Sequence, residues 1–270
     1  MSNTDFVTVL FDHFFDDAAI FPPGNAAMDV AVRSHVDSLD SPLARHVGPF
    51  VCSASRLPAL GSALATGGVD ALDLSLVTPA SSAVAAIAAA DDDSRLRLRA
   101  VEVSDTEPGD PLPQVPEGTL LLVERPATPP FDLPPDVALK LRTGGETTDA
   151  FPDDAGLAAA LTDALEQDLR FKLTAGLHHA IRHTDPTTGF EHHGFLNVVL
   201  AVHAVLSGSR DDVAAAILAE RDASVVAAEI AELDEAARGY VRSRFLSFGT
   251  CSISEPVDDL RGLGLLEAAA

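Results

Sequence analysis

The chain has 270 residues, of which 47% are hydrophobic, and a formal net charge of -23 at pH 7. A field of this sign repels polyanions, so nucleic acid and anionic membrane surfaces are excluded as partners. The two cysteines are isolated, the first residues lack the basic region of a signal peptide, and no apolar run approaches the ~20 residues of a membrane span. We therefore expect a cytoplasmic protein.

Short apolar runs of strand length alternate with helical patterns along the chain. Strands are predicted over residues 18–21, 47–52, 70–78, 96–103, 119–123, 137–141, 169–174 and 245–252. Helices are predicted over residues 4–15, 25–40, 56–66, 81–90, 153–167, 194–206, 210–220, 222–241 and 255–266. The Pro-rich segments 105–118 and 126–135 carry no helical pattern and are expected to be loops.

Eight strands interleaved with helices predict an α/β fold, closed as a (β/α)8 TIM-like barrel that forms one domain over residues 1–270. Residues 177–243, a histidine-rich loop followed by helices, are expected to be an insertion between the seventh and eighth strands. An open doubly wound sheet is the alternative. The absence of a G-x-G-x-x-G turn after a strand disfavours the dinucleotide-binding form of that sheet.

Lysine occurs only at positions 140 and 172, inside two copies of the pattern apolar-Lys-Leu-x-[Thr/Ala]-Gly, 32 residues apart. Because side chains alternate along a strand, Lys140 and Arg142 share one face, and Lys172 and Thr174 share the equivalent face of the next strand. We expect this face to line the barrel interior near the carboxyl ends of the strands, where barrel enzymes place their sites. Glu102 and Glu124 occupy comparable late positions on the fourth and fifth strands, and Asp73 lies inside the third.

A buried lysine beside another cation is disfavoured as ammonium, so its amine becomes a nucleophile that forms a Schiff base with a carbonyl carbon. A neighbouring carboxylate then serves as acid or base. This chemistry predicts a lyase or isomerase that acts on a small anionic carbonyl compound and needs no cofactor. Two alternatives remain open: both lysines stay charged and bind a carboxylate or phosphate, or they form ion pairs that only hold the barrel mouth.

Four segments resemble motifs of the deoxyribose-phosphate aldolases. Residues 139–144 are similar to the Lys-x-[Ser/Thr]-Thr-Gly motif of their sixth strand, and residues 171–176 to the Phe-Lys-x-x-Gly-Gly motif of their seventh. Residues 248–252 resemble the phosphate loop of their eighth strand, Phe-Gly-[Ala/Thr]-Ser-Ser. Residues 68–73 resemble their run Gly-Ala-Asp-Glu-Val-Asp, although this segment falls on the predicted third strand and the family carries it on its fourth.

The resemblance implies Lys140 as the Schiff-base lysine, Lys172 as its cationic neighbour and Asp73 as the proton relay. It also implies a phosphate site at the ends of the seventh and eighth strands. With the inward-facing side chains named above, the candidate substrate-binding residues are Arg142, Thr174, Gly176, Gly249, Thr250 and Ser252.

Five of the nine histidines fall within residues 178–193, a stretch that also resembles one in uncharacterised bacterial proteins. His178 and His179 are candidates for acid–base or substrate-binding roles. His179 and His183 have the i, i+4 spacing of helical metal ligands and, with His192 and His193, form an alternative divalent-metal site of a hydrolase or isomerase. A third alternative is a non-catalytic barrel whose helices between residues 194 and 241 form an assembly interface, as in a homo-oligomer.

Overall fold

The computed structural model describes residues 9–267, in which eight parallel strands close into a barrel. These strands are β1 Phe15–Asp17, β2 Val47–Ser53, β3 Leu72–Pro79, β4 Leu96–Ser104, β5 Leu120–Pro126, β6 Ala138–Arg142, β7 Phe171–Thr174 and, after a short hairpin, β10 Phe245–Thr250. From β1 to β7, each barrel strand pairs with the next strand in the chain, and β10 closes the barrel by pairing with both β7 and β1. This closure confirms the predicted barrel over the open sheet.

Nine α-helices lie within the described part of the chain. They are α1 Met28–Leu39, α2 Leu57–Gly67, α3 Ala83–Asp91, α4 Asp154–Glu166, α5 Phe195–Leu206, α6 Asp211–Ala219, α7 Ala223–Glu232, α8 Glu235–Arg244 and α9 Ser254–Gly262. Four of them, α5 to α8, separate β7 from β10, which confirms the predicted helical insertion. The hairpin strands β8 His183–Thr184 and β9 Glu191–His192 precede these helices. None of the helices in residues 9–267 is long and apolar enough to cross a membrane.

Local sequence signals account for several helix ends. The Asp153 carboxylate accepts a hydrogen bond of 2.7 Å from the Gly156 N–H and caps the start of α4. Gly68 has a φ of 65°, a left-handed conformation that costs glycine little, and it ends α2. Between β4 and β5, and between β5 and β6, the chain forms no α-helix, as the Pro-rich composition of these connections predicts.

Three predicted elements differ from the structure. The first strand is Phe15–Asp17 rather than residues 18–21, where backbone hydrogen bonds form a turn instead. The prediction failed because two adjacent acidic residues, Asp16 and Asp17, indicate an exposed segment, whereas both side chains are buried. The predicted helix 4–15 therefore overlaps this strand, and its residues 4–8 lie outside the described chain. The single helix 222–241 is two helices, because the Asp234 carboxylate caps α8 through the Ala237 N–H.

The outward faces of the strands carry most of the core. For example, Phe15 and Phe248 contact Phe195 of α5, with ring centroids 5.3–5.8 Å apart. Inside the barrel, a small apolar cluster consists of Ala100, Leu122 and Ala138. Two residues further along the same strands, the inward positions carry charge: Glu102, Glu124 and Lys140. The fold thus places charged groups in the barrel interior, towards the carboxyl ends of the strands.

Candidate active site

Five charged side chains meet inside the barrel and are called here the lysine–carboxylate cluster. Its members, each from a different strand, are Asp16 of β1, Glu102 of β4, Glu124 of β5, Lys140 of β6 and Lys172 of β7. Lys140 and Lys172 are direct partners in the register of β6 and β7. Both lysines of the chain are therefore used here, and neither lies on the surface.

Glu102 bridges the two lysines. The Lys140 Nζ lies 2.8 Å from Glu102 Oε2, and the Lys172 Nζ donates a 2.5 Å hydrogen bond to Glu102 Oε1. Each lysine has one further carboxylate: Lys140 lies 2.8 Å from Glu124 Oε2, and Lys172 lies 2.6 Å from Asp16 Oδ2. The cluster is thus a continuous chain of alternating charges with Glu102 at its centre.

Two buried serines and a glycine complete the surroundings of the carboxylates. The Ser75 hydroxyl donates a 2.5 Å hydrogen bond to Glu102 Oε1, and the Ser247 hydroxyl donates one of 2.9 Å to Asp16 Oδ2. At Gly48, a Cβ atom would lie only 2.2 Å from Asp16 Oδ1, so the absence of a side chain makes room for this carboxylate. These neighbours fix the positions of both acids by hydrogen bonding and close packing.

The ion pairs determine which members of the cluster stay charged. Burial acts to raise the pKa of Glu102, but Lys140 and Lys172 outweigh it and hold the pKa well below its usual range. Burial acts to lower the pKa of Lys172, but Asp16 and Glu102 outweigh it and hold the pKa above its usual range. Asp16 has only one lysine partner, and there burial dominates and raises its pKa. Lys172 is therefore an ammonium ion across the physiological pH range.

The Glu124 carboxylate connects the cluster to solvent. Its side chain is 16% exposed, burial acts to raise its pKa, and Lys140 and Arg142 outweigh that effect and lower it. Arg142 lies 2.6 Å from Glu124 Oε1 through Nη2, and its side chain is 43% exposed. Arg142 is thus the cation at the entrance, and Lys140 is one carboxylate away from it.

The ends of β6, β7 and β10 pack closely beside this entrance. Gly176 has a φ of 79°, and a Cβ atom there would lie 2.6 Å from the carbonyl oxygen of Thr143. A Cβ atom at Gly249 would lie 3.9 Å from Thr174 Oγ1, so the structure brings these two predicted residues together. Thr250 and Ser252 are engaged with each other instead, because the Thr250 hydroxyl donates to the Ser252 carbonyl oxygen at 3.0 Å.

Asp73, the relay implied by the resemblance, does not join the cluster. It is the second residue of β3, at the opposite end of the barrel, and its carboxylate accepts hydrogen bonds of 2.5 Å from Arg97 and 3.0 Å from Arg99. The side chain is 35% exposed. The carboxylate that contacts both lysines is Glu102 on the fourth strand.

The five histidines of the loop after β7 do not form the predicted four-ligand metal site. His193 accepts from Arg182 at 2.9 Å and donates to the Pro152 carbonyl oxygen at 2.8 Å, so both ring nitrogens are occupied. His192 and His183 each donate a hydrogen bond to a backbone carbonyl oxygen, and the centroids of their two rings are 5.2 Å apart. His179 lies 3.1 Å from the Asp259 carboxylate. His178 lies beside Cys251 and Glu255.

Sequence reasoning missed two polar members of the site: Ser75 and Ser247. Asp16 carries a signal in the sequence, because an acid beside the first strand could face the barrel mouth. The serines carry no comparable signal, because a serine within an apolar strand does not by itself predict a polar partner. Comparisons with protein-family models, with curated proteins and with solved structures found no match.

Proposed function

We propose that the protein is an enzyme that acts on a small anionic carbonyl compound, in lyase or isomerase chemistry, and that Lys140 is its Schiff-base lysine. One observation carries the proposal. The chain's only two lysines are buried on adjacent strands and share the carboxylate of Glu102. Buried ion pairs stabilise a fold less than apolar packing does, so a purely structural role explains this arrangement poorly.

The resemblance to the deoxyribose-phosphate aldolases supports the same roles, with one substitution. That family carries its acidic relay on the fourth barrel strand, and in this chain the fourth strand contributes Glu102. Glu102 contacts both Lys140 and Lys172 through its two oxygens. We therefore assign to Glu102 the relay role that the local motif gave to Asp73.

Lys140 rather than Lys172 is the nucleophile because of what surrounds each amine. Lys172 is enclosed by Asp16 and Glu102, and these carboxylates hold its pKa above the usual range against the opposing effect of burial. Its ammonium form is unreactive towards a carbonyl carbon. Lys140 is one step from the entrance, through Glu124 and Arg142.

Binding of an anionic substrate supplies the activation step. An anion that pairs with Arg142 competes with Glu124 for the guanidinium, so that the Glu124 side chain is released from Arg142. Once Glu124 moves, Lys140 keeps one carboxylate instead of two, with the charged Lys172 on the far side of Glu102. The Lys140 proton then leaves to water at the entrance, which gives a neutral amine in contact with the substrate.

The reaction then balances without an added cofactor. The Lys140 amine adds to the carbonyl carbon, the carbonyl oxygen takes one proton from that amine and one from solvent and leaves as water, and a protonated imine remains. The imine accepts the electron pair of an adjacent C–C or C–H bond when that bond breaks, and becomes an enamine. The enamine carbon takes up a proton or a second carbonyl carbon, which restores the imine, and addition of water then releases the product and the Lys140 amine.

Borohydride trapping tests this assignment. The protein is incubated with a panel of small aldehydes, 2-keto acids and phosphorylated aldehydes, reduced, digested and mapped by mass spectrometry. We expect a stable adduct on Lys140 and none at that position in Lys140→Arg, with folding of both proteins checked by circular dichroism. Adducts confined to the N-terminal amine, or on Lys172 while Lys140 stays unmodified, would contradict the proposal.

A further inference from the structure

A second group of side chains lies at the same end of the barrel as the cluster. His178 is in the loop after β7, Cys251 directly follows β10, and Glu255 is in the first turn of α9. The His178 Nδ1 lies 3.6 Å from Cys251 Sγ and 3.8 Å from Glu255 Oε2. Donor atoms of all three residues lie within 4.8 Å of one another, and no other such group of three occurs in residues 9–267.

These spacings match the edges of a tetrahedral metal site. Bond lengths of ~2.3 Å from zinc to sulfur and ~2.0 Å to nitrogen or oxygen place ligand atoms roughly 3.5 Å apart at tetrahedral angles. The observed 3.6 Å and 3.8 Å are close to this value, so a small movement of the half-exposed Glu255 side chain completes the geometry. The absence of a side chain at Gly24 makes room for Cys251, since a Cβ atom at Gly24 would lie 2.8 Å from Cys251 Cβ.

The donor types select the class of ion. Thiolate and imidazole are borderline-soft ligands that favour Zn2+ or Co2+ over the oxygen-seeking Mg2+ and Ca2+. The Cys251 thiol gives up its proton to solvent when the cation binds, because the thiolate is the form that binds metal.

We propose that His178, Cys251 and Glu255 bind one Zn2+-class ion at the mouth of the barrel. Three protein ligands leave the fourth tetrahedral position open, which is the arrangement of catalytic rather than structural zinc sites. The open position accepts water or an oxygen of a small anion. The site also joins the loop after β7 to the start of α9. It stands independently of the Schiff-base chemistry, because neither lysine is one of its ligands.

Cobalt substitution tests the site directly. Untagged protein is incubated with Co2+ or Zn2+, freed of excess metal, and measured for metal content and for absorption. We expect one equivalent of metal, a thiolate-to-cobalt charge-transfer band in the ultraviolet, and the visible d–d bands of tetrahedral Co2+. The charge-transfer band requires a sulfur ligand and so reports on Cys251 itself.

Matched variants separate this site from the other histidines and from the other cysteine. Cys251→Ser should abolish the charge-transfer band, and His178→Asn should reduce metal retention at least tenfold. Cys52→Ser and His179→Asn should leave both readouts unchanged, since Cys52 lies on β2 and His179 pairs with Asp259. Failure to retain either metal, or a band that survives in Cys251→Ser, would overturn the proposal. Neither result affects borohydride trapping on Lys140, so the two proposals fail separately.

Discussion

The central position of Glu102 makes Glu102→Gln the most informative single substitution. The amide has nearly the same shape as the carboxylate but no charge, so it leaves Lys140 paired only with Glu124 and Lys172 paired only with Asp16. Removing one partner of a buried ion pair costs about 3–5 kcal/mol, because the remaining charge stays in a medium that solvates it poorly. For a chain of this size, that loss corresponds to a fall in melting temperature of roughly 6–20 °C.

The matched control is Asp73→Asn in the same sheet. Asp73 also bridges two cations, Arg97 and Arg99, but its side chain is 35% exposed and both arginines are more exposed still. Solvent screening limits such a pair to about 0–1 kcal/mol. The number of cationic partners is therefore the same for Asp73 and Glu102, while the burial of the carboxylate differs.

Urea unfolding followed by far-ultraviolet circular dichroism measures both variants. The chain has no tryptophan and one tyrosine, so intrinsic fluorescence is a poor probe. A double-mutant cycle with Lys172→Met adds a second check: because Glu102 and Lys172 contact each other, the stability losses of the two single variants should not add. Equal losses in Glu102→Gln and Asp73→Asn, or strict additivity in the cycle, would refute the reasoning from burial.

Three further outcomes are expected. Gly176→Ala should destabilise the protein clearly more than Gly189→Ala, as measured by urea unfolding. Both positions have a positive φ (79° and 73°), but only at Gly176 would the new Cβ atom press against backbone, namely the Thr143 carbonyl oxygen. Equal losses of stability would contradict this. Burial lowers the pKa of His178 from 6.5 to about 4, so the unfolded chain binds the extra proton and stability should fall, by up to about 3 kcal/mol, as pH drops from 6.5 towards 4. His178→Asn should flatten that part of the pH–stability curve, and an unchanged slope would count against it. Arg142→Gln should cost under about 1 kcal/mol of stability yet raise the carbonyl concentration needed to trap Lys140, which titrated borohydride trapping measures; an unchanged concentration would exclude Arg142 as the entrance cation.

The two proposals place different chemistry at one end of the barrel. The lysine–carboxylate cluster lies between the strands, with Arg142 as its exposed end. His178, Cys251 and Glu255 lie on the connections that leave β7 and β10. In parallel α/β barrels, variable loops at this end supply substrate contacts while the strands supply fixed groups. The arrangement in this chain follows that division between rigid strands and loops.

Much of the fold follows from the sequence alone, since strand and helix periodicity are local properties and eight strand-length runs alternating with helices have few compact arrangements. The pairing of Lys140 with Lys172 was also readable, because a repeated motif one strand–helix unit apart implies equal height on neighbouring strands. The carboxylate partners of these lysines could not be predicted, because they depend on closure of the barrel. Closure places β10 between β1 and β7, and so brings Asp16 of β1 against Lys172 of β7. Asp73 was misplaced for the same reason: a local motif does not say which end of its strand faces the site. Closure, register and burial are properties of the whole barrel, and they alone decide which charges meet.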